Sequence, residues 1–323
     1  MSELVRLSSP DASHRVLAIR GGALGDFILT LPALRALRRE CGELQLLTRP
    51  AYGKLAREFD LVAAWRALES PEMALLHAGG AQVDPPLQAW LGGFDLVVSW
   101  VPDPDGVFQK QIRSSGVPQF CQGDWRCAGP GPAAEQLARG IPWLKLPLET
   151  DDVLLRVPSR EAGTGGPWIA LHPGSGSPRK NWPMDHWLLV MRQLQKRQPA
   201  LRWRIVTGEA EQDRLAALHA LLDQAGLPWE PLHDLPLALL ARRLHECRGF
   251  LGHDSGVAHL AAACGVPCRI LFGPTDPAVW APQGEHVRIL RADAGDWSLL
   301  RPEAVWAWLA DKGTWRSITG SGP

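Results

Sequence analysis

The sequence predicts an α/β protein built from two doubly wound, parallel-sheet units in tandem. Three observations carry this expectation. Short apolar runs alternate with longer stretches of helical period along most of the chain. That alternation breaks once, between residues 150 and 167, in an acidic and then Gly-rich stretch ending Glu161-Ala-Gly-Thr-Gly-Gly-Pro167. The chain has 323 residues, and at roughly 150 residues per domain that suits two cores. The expected domains are therefore residues 1–160 and 161–323.

The elements follow in order. Arg15–Arg20 is a compact apolar run and reads as a buried strand. Gly21–Asp26 is a glycine-rich turn. From Phe27 to Arg39 apolar residues recur at helical spacing, with Arg35, Arg38 and Arg39 on the other side. Pro32 falls in the first two turns of that helix, where its missing N–H does least harm. Leu44–Thr48 reads as a second strand, 51–58 as a short helix, Phe94–Ser99 as a strand and Ala133–Gly140 as a short helix. After the break, strands are expected at Trp168–His172, Trp203–Thr207, Phe250–Leu251, Cys268–Phe272 and Val287–Leu290. Helices are expected at Met184–Gln198, Glu209–Ala225, Leu237–Cys247, Ser255–Cys264 and Pro302–Lys312. Gly226, Gly265 and Gly313 supply stops for three of them. The closing helix is expected either in its own domain or packed back on the N-terminal one.

Composition excludes several classes of function. Basic and acidic residues number 34 each, split 17 and 18 in residues 1–160, so neither half is a cationic nucleic-acid binder. No stretch of 18 apolar residues offers a membrane span, and no charged segment followed by an apolar one suggests a secretory signal. Six cysteines without a C-x-x-C pair read as buried free thiols, not as a disulfide framework or zinc site. A cytoplasmic location is the default, with at most peripheral membrane contact. Tryptophan is unusually abundant, at 15 against a single tyrosine.

Three loops carry the chemistry. Arg20-Gly-Gly-Ala-Leu-Gly-Asp26 joins strand to helix, but its glycines lack dinucleotide-fingerprint spacing and no Gly-Lys-Ser/Thr follows. Gly22 and Gly25 permit close backbone approach. Asp26 reads either as a helix N-terminal carboxylate or as a general base. The second loop runs from His172 to Pro183; its Gly174, Ser175, Ser177, Arg179 and Lys180 suit an anion. The third, Gly252-His-Asp-Ser-Gly-Val-Ala-His259, opens an apolar helix whose N-terminus is a ready phosphate site. Asp254 caps that helix or accepts a sugar hydroxyl. His259 lies on the face of Ser255, and His253 points away from it. No metal constellation is evident.

Taken together these loops resemble glycosyltransferase family 9, the ADP-heptose:lipopolysaccharide heptosyltransferase family. The match rests on Ile19–Asp26 with Leu31-Pro-Ala-Leu34, on His172-Pro-Gly-Ser175 with Lys180-Asn-Trp-Pro183, and on Asp254–His259 with Phe272-Gly-Pro-Thr-Asp-Pro277. The resemblance covers most of residues 15–285. It implies a GT-B fold: two Rossmann-like domains with a central cleft, the first for the acceptor and the second for the nucleotide sugar. It also implies inverting, metal-independent transfer with an ADP-sugar as co-substrate and no cofactor. In that reading Asp26 is the catalytic base and Lys180 neutralises the departing diphosphate. Ser255 and Gly256 bind that diphosphate, Asp254 holds sugar hydroxyls and Glu209 holds the ribose. His172, Gly174, Ser175, His259 and Thr275 complete the donor-side loops. A lipopolysaccharide-type acceptor would need cations, and Lys110, Arg113 and Arg126 are the obvious ones between Trp100 and Gly131. The alternatives are a GT-B-fold UDP-sugar epimerase, for which no second acid/base carboxylate accompanies Asp26, and a non-catalytic nucleotide-sugar binder, which would not need Asp26 and Lys180.

Overall fold

A computed structural model describes residues 13–78, 83–141, 144, 154–157 and 166–311. The chain divides into two compact units at Asp152/Val153, eight residues before the expected boundary. The Glu161–Pro167 segment lies almost wholly outside the described residues.

The N-terminal unit contains β1 (Arg15–Arg20), α1 (Leu24–Glu40), β2 (Glu43–Thr48), α2 (Pro50–Glu58) and β3 (Ala64–Ala67), followed by α3 (Pro71–Ala74) and α4 (Pro85–Leu91). Then come β4 (Leu96–Ser99), α5 (Val107–Ser114), β5 (Gln119–Gln122) and α6 (Ala133–Ala138). Its five strands are parallel, in the order β3-β2-β1-β4-β5. The order reverses beside β1, so the β1–α1 and β4–α5 loops flank a topological switch point. Strand β1 is buried on both faces, as its unbroken apolar run predicts. Leu17, Ile19, Phe94, Val97, Phe108 and Ile112 form one core beneath the sheet.

Helix α1 starts three residues earlier than its apolar period suggests. The Asp26 carboxylate accepts the Ala23 N–H at 2.9 Å, which satisfies one of the orphan donors at a helix start. Pro32 consequently lies in the helix interior, where it removes the bond that would reach the Ile28 carbonyl.

The C-terminal unit contains β6 (Trp168–His172), α7 (Met184–Arg197), β7 (Arg202–Thr207), α8 (Leu215–Gln224), β8 (Trp229–His233) and α9 (Leu237–His245). They are followed by β9 (Gly249–His253), α10 (Gly256–Ala263), β10 (Cys268–Phe272), α11 (Pro277–Trp280), β11 (Val287–Arg291) and α12 (Pro302–Ala310). Six parallel strands run β11-β10-β9-β6-β7-β8, reversing between β6 and β9. The loops after β6 and β9, which carry Lys180 and Asp254, therefore leave neighbouring strands at the carboxyl edge of the sheet.

Tryptophan dominates this unit's core. Trp182, Trp187 and Trp203 are fully buried with Leu171, Met191 and Leu194. Helix α12 packs on α7 and places Val305 and Leu309 in this same core. Each such side chain contributes about 1.5–3 kcal/mol on burial, which accounts for the helix folding onto its own unit. The cysteines are free. Burial pushes the Cys41, Cys121, Cys127 and Cys247 thiols up to about 11, so they sit far from thiolate reactivity.

Candidate active site

At the carboxyl edge of the N-terminal sheet, Gly22 holds φ +86°, a left-handed conformation glycine adopts freely. Its carbonyl accepts the Tyr52 hydroxyl at 3.3 Å, and the Tyr52 ring stacks on Phe27 at 4.9 Å. A Cβ on Gly22 would come within 2.7 Å of Asp26 Oδ2. Gly25 lies one residue before Asp26 within the first turn of α1. Asp26 therefore lies in the first turn of α1, as the helix N-terminal carboxylate reading expects, with 40% of its side chain still exposed. The buried Arg20 guanidinium stands 3.7 Å from Asp26 Oδ1 and donates to the Asp26 carbonyl at 3.1 Å. It also reaches the Trp100 carbonyl at 3.4 Å and so ties the β1 and β4 loops together.

The three candidate acceptor-side cations separate. Lys110 and Arg113 lie on α5, whose last turn carries Arg113. A crossover helix runs back antiparallel to its strands, so Arg113 points to the amino edge of the sheet. Arg126 instead follows β5, stacks over Trp125 at 4.6 Å, and adjoins Cys127, which feels the charges of Arg20 and Asp26.

In the C-terminal unit the second and third loops meet. Lys180 Nζ donates to Asp254 Oδ2 at 2.7 Å, and the Thr275 hydroxyl donates to the same oxygen at 2.8 Å. His259 Nε2 stands 3.8 Å from Oδ1. Burial alone would raise the Asp254 carboxyl. The nearby His259 ring, hydrogen bonds from Lys180 and Thr275, and the Lys180 charge outweigh it and hold the group at about 2. Asp254 is thus a fixed anion with three partners. Ser255 is the N-cap of α10: its Oγ accepts the Ala258 N–H at 3.2 Å, which leaves the hydroxyl proton to donate elsewhere. Gly256 is the first helical residue.

Other expected donor-side residues brace the loop. His172 is buried and its Nδ1 donates to the Val206 carbonyl at 2.9 Å; burial lowers its pKa and keeps it neutral. The Ser175 hydroxyl has two internal acceptors, Asn181 Oδ1 at 2.6 Å and the Ser177 carbonyl at 2.7 Å. Residues 209–214 form a 3-10 turn before α8, and Glu209 is exposed on it. Glu211 turns inward: Oε2 accepts the Gly208 N–H at 2.9 Å, and buried Oε1 has no partner among the described residues. The sequence offers one signal for Glu211, its position three residues after Gly208 at a helix start. Gly174 packs on this carboxylate so closely that any Cβ would overlap it. Gly174→Ala should therefore lower unfolding stability by about 1–3 kcal/mol. A urea midpoint equal to wild type would contradict that packing.

His253, the last residue of β9 and the one before Asp254, is fully buried. Its Nε2 accepts the Trp182 N–H at 2.8 Å and the Trp187 indole N–H at 3.1 Å, so the ring proton resides on Nδ1. Burial, reinforced by the neighbouring His172, drops its pKa to about 3. The unfolded ring takes up a proton near pH 6.5, and the folded one only near 3. Unfolding then binds a proton throughout that window, so stability falls as pH drops from 6.5 toward 3. Equilibrium unfolding at several pH values should show this slope, and His253→Gln should flatten it. An equal slope in that variant would assign the effect elsewhere.

Among the described residues, no group of three or more His, Cys, Asp or Glu side chains is placed to hold a metal ion, and no helix is long and apolar enough to cross a membrane.

Two parallel-sheet α/β units in tandem give this chain the GT-B fold. Residues 146–300 match glycosyltransferase family 9 (heptosyltransferase). Lipopolysaccharide heptosyltransferase 1 of Pseudomonas aeruginosa is 28% identical over 311 residues, spanning 86% of this chain and 84% of that protein. Lipopolysaccharide heptosyltransferase 2 of Salmonella typhimurium is 28% identical over 169 residues, about half of each chain (50% and 47%). Among solved structures, a family 9 glycosyl transferase from Veillonella parvula superposes with TM-score 0.73 at 16% identity, covering 96% of this chain and 98% of that one. Escherichia coli heptosyltransferase WaaC with ADP gives 0.65 at 20% identity, covering 92% and 99%. Over residues 146–300 the chain matches the family 9 model, and it is a heptosyltransferase-like glycosyltransferase.

Proposed function

We propose that this enzyme moves a heptose, or a related sugar, from an ADP-sugar to a lipopolysaccharide-type or other glycan acceptor, with inversion at the anomeric carbon and without a metal. The observation that carries the reading is the Lys180–Asp254–Thr275 cluster beside the N-terminus of α10. It joins a cation, a fixed carboxylate and free helix N–H groups, the set an anionic sugar donor requires. The C-terminal unit binds the donor. Lys180 exchanges Asp254 for the diphosphate and neutralises the charge that grows on ADP as it leaves. Ser255, through its remaining proton, and the N–H groups from Gly256 onward hold the phosphates. Asp254, released by Lys180 but still held by Thr275 and His259, accepts sugar hydroxyls. The ribose is met by Glu209 or, with its unpartnered buried oxygen, by Glu211.

The N-terminal unit binds the acceptor. The acceptor hydroxyl gives its proton to Asp26 as its oxygen attacks the anomeric carbon, and the carbon–oxygen bond to ADP breaks with its electron pair going to the diphosphate. Arg126, on the same sheet edge, answers an acidic group on the acceptor. The relatives whose names state lipopolysaccharide heptosyl transfer support this donor and acceptor class. The reading carries no cofactor, and a cytoplasmic location with at most peripheral contact to the inner face of the membrane. A thermal-shift panel of nucleotides and nucleotide sugars tests it, with and without EDTA. ADP and ADP-heptose should raise Tm in both conditions, and uridine nucleotides should do so less. Stabilisation by UDP-sugars alone would overturn the donor assignment, and stabilisation lost on chelation would overturn metal independence.

A further inference from the structure

The loop that carries Lys180 is gripped on both sides of the lysine by groups the transfer chemistry does not use. On one side the Trp297 indole N–H donates to the Arg179 carbonyl at 2.9 Å. On the other, His253 Nε2 accepts the Trp182 N–H, two residues beyond Lys180, at 2.8 Å. The His253 ring also faces Trp187 and Trp297 edge-on, with centroids 5.4 Å and 5.7 Å away. Trp182 is locked in turn by its own indole bond to the Leu300 carbonyl at 2.9 Å. We infer that His253 and Trp297 are positioning residues for Lys180: together they clamp the backbone at 179 and 182, so that the lysine is preset toward Asp254 and toward an incoming diphosphate.

The physical need is plain. Lysine is a point charge on a flexible four-carbon stem, and its direction is fixed only by its backbone and its partner. When Lys180 lets go of Asp254 to take a phosphate, the partner is gone and only the backbone remains to aim it. Hydrogen bonds at 179 and 182 leave the loop little freedom to drift. A binding group held by a rigid surround loses less on binding than one that must be ordered at that moment. His253 suits this part because burial keeps it neutral, so both lone-pair contacts persist at working pH. Trp297 suits it because it approaches from the segment after β11, independently of α7.

The inference rests on Lys180 being the diphosphate ligand, and the experiment separates the two. ADP affinity is measured by calorimetry on the full chain for wild type, Lys180→Ala, Trp297→Phe, His253→Gln, His253→Leu and the Lys180→Ala/Trp297→Phe double variant, with Tm recorded for each. Trp297→Phe keeps an aromatic ring on a half-buried site and removes the N–H together with one ring of the indole; it should bind ADP about three- to tenfold more weakly. His253→Leu should lose up to about tenfold, no more than Lys180→Ala, and His253→Gln, whose amide oxygen can replace Nε2 as acceptor, should recover most of that loss. The double variant should bind no more weakly than Lys180→Ala alone, because the clamp acts only through the lysine. Wild-type affinity in Trp297→Phe, or a Trp297→Phe loss that persists in full beside Lys180→Ala, would overturn the clamp. If His253→Leu does not fold, Trp297→Phe and the double variant decide the matter. Wild-type affinity in Lys180→Ala would instead overturn Lys180 as the phosphate ligand, and the clamp with it.

Discussion

Asp26→Asn is expected to reduce sugar transfer by about 10²- to 10⁴-fold, the span for losing a positioned general base. Asparagine keeps the shape of the side chain, and its amide oxygen can still accept the Ala23 N–H that starts α1. The fold of the N-terminal unit should therefore survive, and the donor loops of the C-terminal unit are untouched. ADP affinity should stay near wild type. Single-turnover transfer beside an ADP titration checks both halves. Turnover near the wild-type rate would leave Asp26 as a helix cap and nothing more, and lost ADP binding would mean that the change acts on the donor.

The second large effect is expected at Lys180. Lys180→Ala should lower kcat/KM by about 10²-fold or more and weaken ADP binding by about tenfold, since the charge on the diphosphate grows as the sugar bond breaks. The rate should suffer more than the affinity, because an interaction strongest in the transition state appears in kcat. Removing the lysine also strips Asp254 of one of the groups that hold it ionised, so this buried carboxylate should titrate higher than in wild type. Lys180→Arg should restore affinity better than rate, because a planar fork at this position cannot copy a point charge. Equal losses in affinity and in kcat/KM would assign Lys180 to ground-state binding alone.

The fold was largely readable from periodicity, and the misses have physical causes. Strand β3 is four residues long at a sheet edge and half exposed, so it leaves no apolar run. Strand β8 contains Pro231, which argues against a central strand; it is tolerated because β8 is also an edge. Asp26, Lys180, Asp254, Ser255 and Thr275 stand out as candidates in the sequence because each lies in a short loop motif. Four of them, Lys180, Asp254, Ser255 and Thr275, come together in the C-terminal unit through neighbouring parallel strands. Glu211 is barely legible in the sequence because a 3-10 turn replaces the first turn of the expected helix and rotates residue 211, not 209, inward. The spacing of His253 says only that it points away from His259. Its role depends on Trp182, Trp187 and Trp297, which lie up to 71 positions away in sequence. The abundance of tryptophan, uninformative as a count, has a local meaning here: several of these rings build the wall behind the lysine loop.

The most direct test of the account is ADP release on mixing the purified enzyme with ADP-heptose and a deep-rough lipopolysaccharide lacking heptose. The account predicts release that requires both substrates, proceeds unchanged in EDTA, and falls by about 10²-fold or more with Asp26→Asn. No acceptor-dependent release, or equal release by the Asp26→Asn enzyme, would contradict it.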